Sequence, residues 1–125
     1  MNIIYGIGTD IVDISRIKKS IKKKNFFSRV YSSHEIKKKP STINLYSYFA
    51  KRFAAKEAFS KALGTGISEG ISFNEISIFN DKKGKPYIKL IGKTKKIIRK
   101  IIKKRKIFLS LSDEKKYAVA IVIIS

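Results

Sequence analysis

The hydrophobic positions at the start of the chain predict a strand followed by a helix. Residues 3–7 are short and apolar, which is typical of a buried strand that ends at residues 8–10. From Ile14 to Ile21 the isoleucines follow helical spacing, with lysines on the opposite face. Asp13 or Ser15 is suited to cap this helix.

The longest predicted element is a helix from about Ile43 to Leu63. Ser41 and Thr42 precede it as candidate N-terminal caps, and Gly64 follows it where a left-handed terminator is expected. A short helix over residues 32–39 is expected before it, because it begins at serine and ends before proline.

The second half of the chain predicts mainly strands. Strands are expected at 76–79, 87–91, 107–111 and 118–124, and an amphipathic helix at 94–104. The first two strands flank a turn-rich segment and predict a hairpin. The last strand is almost wholly apolar, so we expect it to be central or covered by helices. The pattern predicts a single α+β domain over residues 1–125, in which a mainly antiparallel sheet packs with a long helix.

The charge balance has two interpretations. There are 29 basic and 9 acidic residues, giving a net charge of +20. A polyanionic or acidic partner would explain this, but so would a biased composition, because lysine far outnumbers arginine. The run from Ile17 to Arg29 leaves the same choice open: a solvated amphipathic helix, or a docking face for an acidic partner with Phe26 or Phe27 as the apolar contact.

Composition excludes several classes of site and location. With no cysteine, disulfides and thiolate metal sites are excluded. The N-terminus lacks a basic region ahead of its apolar run, and no window is long enough for a membrane span, so we expect a cytoplasmic protein. His34 is the single histidine and is expected at the surface, which leaves no histidine-based metal cluster or catalytic triad.

The segment from Phe49 to Gly66 carries the strongest chemical signal. Phe53, Glu57 and Lys61 are spaced four apart and share one face of the predicted helix. Glu57 and Lys61 could be an ordinary surface pair. Alternatively, the apolar surroundings bury the carboxylate, and a buried carboxylate needs a cation or a metal to remain charged.

Asp10 is the second candidate carboxylate. The preceding Gly6-Ile7-Gly8 is a weak dinucleotide-loop signal, and we expect a tight turn that frees Asp10. A metal here would be bound by carboxylate and phosphate oxygens, which favours Mg²⁺.

Four segments together resemble one family. They are GIGTDIVDISRI (6–17), AKRFAAKEAFSKALGTGI (50–67), FNDKKGKPYI (79–88) and LSLSDEKKYAVAIVI (109–123). They are similar to the holo-acyl-carrier-protein synthases, the short phosphopantetheinyl transferases of bacterial fatty acid synthesis. The resemblance implies transfer of 4′-phosphopantetheine from coenzyme A to a serine of apo acyl carrier protein, releasing adenosine 3′,5′-bisphosphate. It also implies a trimer with active sites at the subunit interfaces.

The resemblance assigns roles residue by residue. Asp10 and Glu57 match the Mg²⁺ ligands, and Lys61 matches the lysine that contacts the coenzyme A phosphates. Positions matching the nucleotide-binding residues are Arg52, Gly64, Gly66, Lys85 and Pro86, and those matching the carrier-protein face are Arg16 and Arg29. Phe26 stays the candidate apolar contact that the basic run itself indicates.

Two points stay open at this stage. Some members carry histidine at the position of Asp113, so Asp113 is either a polar contact in the site or a turn residue. The base that deprotonates the serine is either Glu57 or a metal-held water.

The alternative function is a small basic nucleic-acid-binding module, although no nucleic-acid-binding motif is present. A membrane-surface role would depend on the basic residues 18–24 alone.

Overall fold

The computed structural model describes residues 3–64 and 70–125. The strands are β1 (Gly6–Asp13), β2 (Ile76–Asn80), β3 (Pro86–Leu90), β4 (Ile107–Asp113) and β5 (Tyr117–Ile124). The helices are α1 (Ile14–Ile21), α2 (Phe26–Val30), α3 (Ser33–Lys37), α4 (Leu45–Leu63) and α5 (Gly92–Ile102), and a 3₁₀ turn covers Phe73–Glu75. Within these residues, no helix is long and apolar enough to cross a membrane.

Two antiparallel sheets confirm the predicted α+β class. The larger has the order β1-β5-β4, and β2 and β3 form a separate hairpin. The apolar strand β5 is central, as predicted, and its alternate residues are buried against α4. The register places Asp10 of β1 opposite Ala120 of β5.

The expected turn at residues 8–10 is wrong, because β1 continues through them to Asp13. Its full length pairs with β5, so backbone hydrogen bonds hold the polar residues in the strand. Gly6 and Gly8 serve close packing instead of a turn. A Cβ at either position would collide with the carbonyl oxygen of Ala62 or Ala58 on α4.

The helix ends agree with the sequence in part. The Asp13 side chain caps α1 by accepting a hydrogen bond from the Ser15 N–H at 2.8 Å, as predicted. Gly64 ends α4 with φ of 86°, also as predicted. The expected caps at Ser41 and Thr42 are wrong, because α4 begins at Leu45, two residues later than predicted. The Thr42 hydroxyl accepts from the backbone N–H of Asn44 within the preceding turn.

Two further positions differ from expectation. Helix α5 begins at Gly92, two residues earlier than predicted, because the Glu75 carboxylate accepts hydrogen bonds from the N–H and hydroxyl of Thr94 in its first turn. His34 is only partly exposed, and its ring stacks on Phe79 with centroids 3.6 Å apart. Burial, followed by the charge of Lys38, lowers the pKa of His34.

The outer face of the three-stranded sheet is apolar. The inner face packs on α4, whereas large side chains on the other face are exposed in the single chain. These are Ile7 and Ile11 of β1, Phe108 of β4, and Tyr117, Val119 and Ile121 of β5.

Candidate active site at the β1–α4 contact

Strand β1 and helix α4 bring three of the predicted site residues together. Lys61 Nζ donates to Asp10 Oδ1 at 3.2 Å and to the Thr9 carbonyl oxygen at 3.0 Å. The Asp10 side chain is 17% exposed and that of Lys61 is 56% exposed. The glycines of β1 permit this arrangement, because they let the strand approach the backbone of α4 closely.

Glu57 completes the cluster from the same helix. Burial raises its pKa, and the negative charge of Asp10 raises it further. The charges of Lys61 and Arg16 offset part of this rise. Glu57 thus lies in a mixed electrostatic environment, close to one acid and two bases.

Of the two alternatives for Glu57 and Lys61, the ordinary surface pair is not formed, and Lys61 pairs with another element instead. Among residues 3–64 and 70–125, the ion pair of Lys61 within 4.0 Å is with Asp10, and none involves Glu57. The lysine therefore links α4 to β1 and leaves the Glu57 carboxylate for another partner.

The donor set at this site fits Mg²⁺. Asp10 bonds to Lys61, which shares a helix face with Glu57, and the described part of the chain contains no cluster of three or more acidic or histidine ligands. Mg²⁺ is typically bound by one or two carboxylates together with waters and substrate phosphates. Burial and, after it, the charge of Asp10 raise the pKa of Glu57, and a divalent cation at this place would favour its ionised form.

Arg52 contacts the β2–β3 hairpin, which contains Lys85 and Pro86. The Arg52 guanidinium lies 3.6 Å from the ring centroid of Tyr48 and donates to Asn80 Oδ1 at 3.1 Å. Its buried Nε has no hydrogen-bond partner among the described residues.

A cavity of about 300 Å³ lies beside the hairpin. Lys85 and Pro86 line it from the hairpin, and Ile107–Leu109 line it from β4. Among the described residues, no hydrogen bond or ion pair joins this region to Asp10, Glu57 or Lys61. The hairpin residues and the carboxylates therefore have separate hydrogen-bond and ion-pair partners within the described residues.

The other predicted site residues that the structure describes lie at the end of α4 or on α2. Gly64 lies at the end of α4, just beyond Lys61, and Gly66 lies outside the described residues. Phe26 stacks on Phe53 at 6.2 Å and is partly buried, so much of its surface already serves the core. Arg29 is exposed on α2.

Asp113 forms an ion pair that the sequence did not indicate. Its carboxylate lies 3.3 Å from Lys51 Nζ, so it joins the end of β4 to α4. The sequence also gave no role to Lys56, which is fully buried with Glu35. The available signal was Phe53 and Phe59, three residues to either side of Lys56, since a lysine on an apolar helix face must find a buried partner.

Comparison with known proteins identifies the family. The model of the 4′-phosphopantetheinyl transferase superfamily matches residues 6–122. The chain therefore belongs to this superfamily of transferases.

Individual relatives resemble the chain over nearly its full length. It is 53% identical over 123 residues to a holo-[acyl-carrier-protein] synthase of Pelagibacter ubique, covering 97% of this chain and 96% of the relative. The crystal structure of the Neisseria meningitidis synthase matches with a TM-score of 0.87 and 39% identity, over 98% of both chains. A Bacillus anthracis synthase in complex with CoA (3′,5′-ADP) matches with a TM-score of 0.80 and 36% identity, over 98% of this chain and 97% of that one.

Proposed function

We propose that residues 1–125 form one domain that transfers 4′-phosphopantetheine from coenzyme A to a serine of apo acyl carrier protein. The second product is adenosine 3′,5′-bisphosphate. The observation that carries the proposal is the meeting of Asp10, Glu57 and Lys61 from β1 and α4, in a chain that belongs to the transferase superfamily. Fatty acid biosynthesis in the cytoplasm is the setting that the resemblance implies.

Asp10 and Glu57 would hold Mg²⁺ between them. When bound there, the ion supplies a Lewis acid that offsets the charge developing on the pyrophosphate of coenzyme A. Lys61 is more than half exposed and donates to Asp10 and to the Thr9 carbonyl oxygen, so its third N–H group can donate to a phosphate oxygen.

The serine oxygen attacks the β-phosphorus, and the bond from that phosphorus to the oxygen of the bisphosphate leaving group breaks. The serine proton must be accepted as the new bond forms. Glu57 is the proposed acceptor, directly or through a water, because it is a carboxylate on the same helix face as Lys61, which bonds to Asp10.

Arg52, Lys85 and Pro86 would bind the nucleotide end of coenzyme A. We propose that the sites form between subunits of a homotrimer, as the resemblance implies. The exposed apolar face of the three-stranded sheet supports this assembly, since large exposed patches of this kind are typical of interfaces.

The basic face beside the carboxylates would receive the carrier protein. Arg16 follows the start of α1, and its charge reaches Glu57, so a partner on this helix lies close to the reacting groups. Arg29 and Phe26 extend the face onto α2. Opposite charges on the two proteins would steer association, which we expect to weaken with increasing salt.

Intact-mass spectrometry of apo acyl carrier protein tests the reaction. After incubation with this protein, coenzyme A and Mg²⁺, we expect the carrier to gain one phosphopantetheine group, and EDTA to prevent the gain. Glu57→Gln should abolish transfer, whereas Glu114→Gln, in the exposed β4–β5 turn, should not. If a verified apo carrier gains no mass with folded protein, the proposed activity is wrong, and binding to nucleic acid becomes the function to test.

A further inference from the structure

Lys56 makes an unusually complete set of contacts for a buried lysine. Its side chain is 0% exposed, and Nζ donates to Glu35 Oε1 at 2.9 Å. It also donates to the carbonyl oxygens of Phe73 at 2.9 Å and Ile76 at 2.6 Å. The three N–H groups of the ammonium thus have three acceptors from three different segments.

Glu35 is bonded just as fully. Oε1 accepts from the Ser32 backbone N–H at 2.8 Å as well as from Lys56, and Oε2 accepts from the Ile78 N–H at 2.8 Å. The pair therefore joins α3, α4, the 3₁₀ turn and β2 at one point. It is the only fully buried ion pair among the described residues.

Stability alone does not explain a buried ion pair. Burying two charges is costly, and well-packed apolar residues are often as stabilising or more so in the same place. What the ion pair adds is direction, because each hydrogen bond fixes an angle as well as a distance. A rotation or slide of α4 would break all three bonds of Lys56, whereas apolar contacts would tolerate a small shift.

The neighbour of Lys56 on the helix is Glu57. Successive residues of a helix are turned by about 100° around its axis. Lys56 thus points into the contact with α3 and the hairpin, while Glu57 shares a helix face with Lys61, whose side chain bonds to Asp10 on β1. The contacts that hold Lys56 in place therefore also set the position of Glu57 relative to Asp10.

We propose that Glu35 and Lys56 are positioning residues that set the rotation of α4 and hold the Glu57 carboxylate beside Asp10 for metal binding. The inference depends on the proposed metal-binding role of Asp10 and Glu57. It adds two residues that neither touch substrate nor contribute a metal ligand.

Mn²⁺ binding tests the inference separately from turnover. The affinity for Mn²⁺ is measured by electron paramagnetic resonance, with coenzyme A at saturating concentration, for Glu35→Gln and Lys56→Met. We expect both to bind Mn²⁺ about 10-fold more weakly, the scale on which groups behind the metal ligands act. At saturating substrates, kcat should fall while the KM for the carrier protein is unchanged. Glu35→Gln preserves side-chain shape and carries the test where Lys56→Met does not fold.

Ile98→Ala is the matched control. Ile98 is fully buried on α5, which carries no proposed site residue, so this variant loses stability without disturbing Glu57. It should keep wild-type Mn²⁺ affinity. If Glu35→Gln and Lys56→Met bind Mn²⁺ as tightly as Ile98→Ala, the positioning role is wrong. If Glu57→Gln itself leaves Mn²⁺ binding unchanged, it is the proposed metal site that fails.

Discussion

Helix α4 carries two ion pairs that differ in almost every physical respect. Lys56 and Glu35 are 2.9 Å apart and wholly buried, and every N–H of the lysine has an acceptor. Lys61 and Asp10 are 3.2 Å apart, and the lysine is more than half exposed. One pair is complete within the chain, and the other has capacity left for a ligand.

This difference suits the buried pair to holding the structure in place and the exposed pair to binding a ligand. A fully bonded, desolvated pair resists change, because any rearrangement leaves a buried charge without a partner. A half-exposed pair beside a second carboxylate of raised pKa can exchange partners at little cost. The lysines of the rigid pair and the exchangeable pair are about 1.4 helical turns apart on α4, and Glu57 lies between them in the sequence.

The largest effect expected is loss of turnover in Glu57→Gln. The amide keeps the shape of the side chain but removes the negative charge, and with it a metal ligand and a proton acceptor. We expect kcat to fall by about 10³-fold or more, which corresponds to about 4 kcal/mol of transition-state stabilisation. Phosphopantetheine transfer followed by mass spectrometry, across a series of Mg²⁺ concentrations, measures it. Wild-type kcat at every Mg²⁺ concentration would contradict the assignment.

The next largest effect is on stability, in Lys56→Met. The substitution leaves Glu35 charged, buried and without its cation, and we expect a loss of about 4 kcal/mol in the free energy of unfolding. Urea unfolding followed by circular dichroism measures this loss.

A double-mutant cycle with Glu35→Gln sharpens the measurement. Because the two groups are in direct contact, the loss in the double variant should be smaller than the sum of the two single losses. Additive losses would mean that the two residues act independently. A Lys61→Met variant is the contrast at the exposed pair and should change stability by less than about 1 kcal/mol.

A smaller loss of stability is expected in Gly8→Ala. The new methyl group would collide with the backbone of Ala58 on α4, so strand and helix must move apart. We expect a loss of about 2–3 kcal/mol, the cost of overpacking a tight contact, and weaker Mn²⁺ binding because Asp10 moves with β1.

The control for this change is Gly84→Ala. Gly84 also resists substitution, because its φ is 85°, but a Cβ there meets no neighbour within 4 Å. We expect a cost of about 1 kcal/mol with unchanged Mn²⁺ affinity. Equal effects of the two substitutions on metal binding would show that the β1–α4 contact does not place Asp10.

The sequence predicted those elements whose signals are local. The apolar run of β5 indicated a central strand, and the glycine after Leu63 indicated the end of α4, and both are confirmed. The fold class follows from the same patterns. The family motif grouped Asp10, Glu57 and Lys61, and the structure brings them together.

Long-range pairings could not be predicted in the same way. The glycines of β1 indicate a turn as readily as a close approach to a helix, and only the packing of α4 decides between the two. Lys61 bonds to Asp10, which is 51 residues away, although Glu57 is the nearest acid on its own helix face. The partner of Lys56 was unpredictable for the same reason, since Glu35 is 21 residues away on another helix.

The smallest expected effect is a pH-dependent change in the stability of Glu57→Gln. It is the most direct test of the site formed by Asp10, Glu57 and Lys61. Because burial and Asp10 raise the pKa of Glu57 above its ordinary value of 4.5, the folded protein holds this proton at pH values where the unfolded chain has lost it. Stability therefore falls as pH rises from about 4.5 through the folded pKa, and the cost persists at neutral pH. Glu57→Gln lacks this cost.

The variant should consequently be slightly more stable than wild type at pH 7 without metal, by less than about 1 kcal/mol, and equally stable near pH 4. Saturating Mg²⁺ with coenzyme A should reverse the order, because bound ligand stabilises only the protein that binds it. Thermal unfolding at pH 7 without metal, near pH 4, and with saturating Mg²⁺ and coenzyme A measures whether the variant is more or less stable than wild type in each condition. A variant less stable than wild type at pH 7 without metal would mean that Glu57 is held by favourable contacts, and the contrast with the buried pair would then be lost.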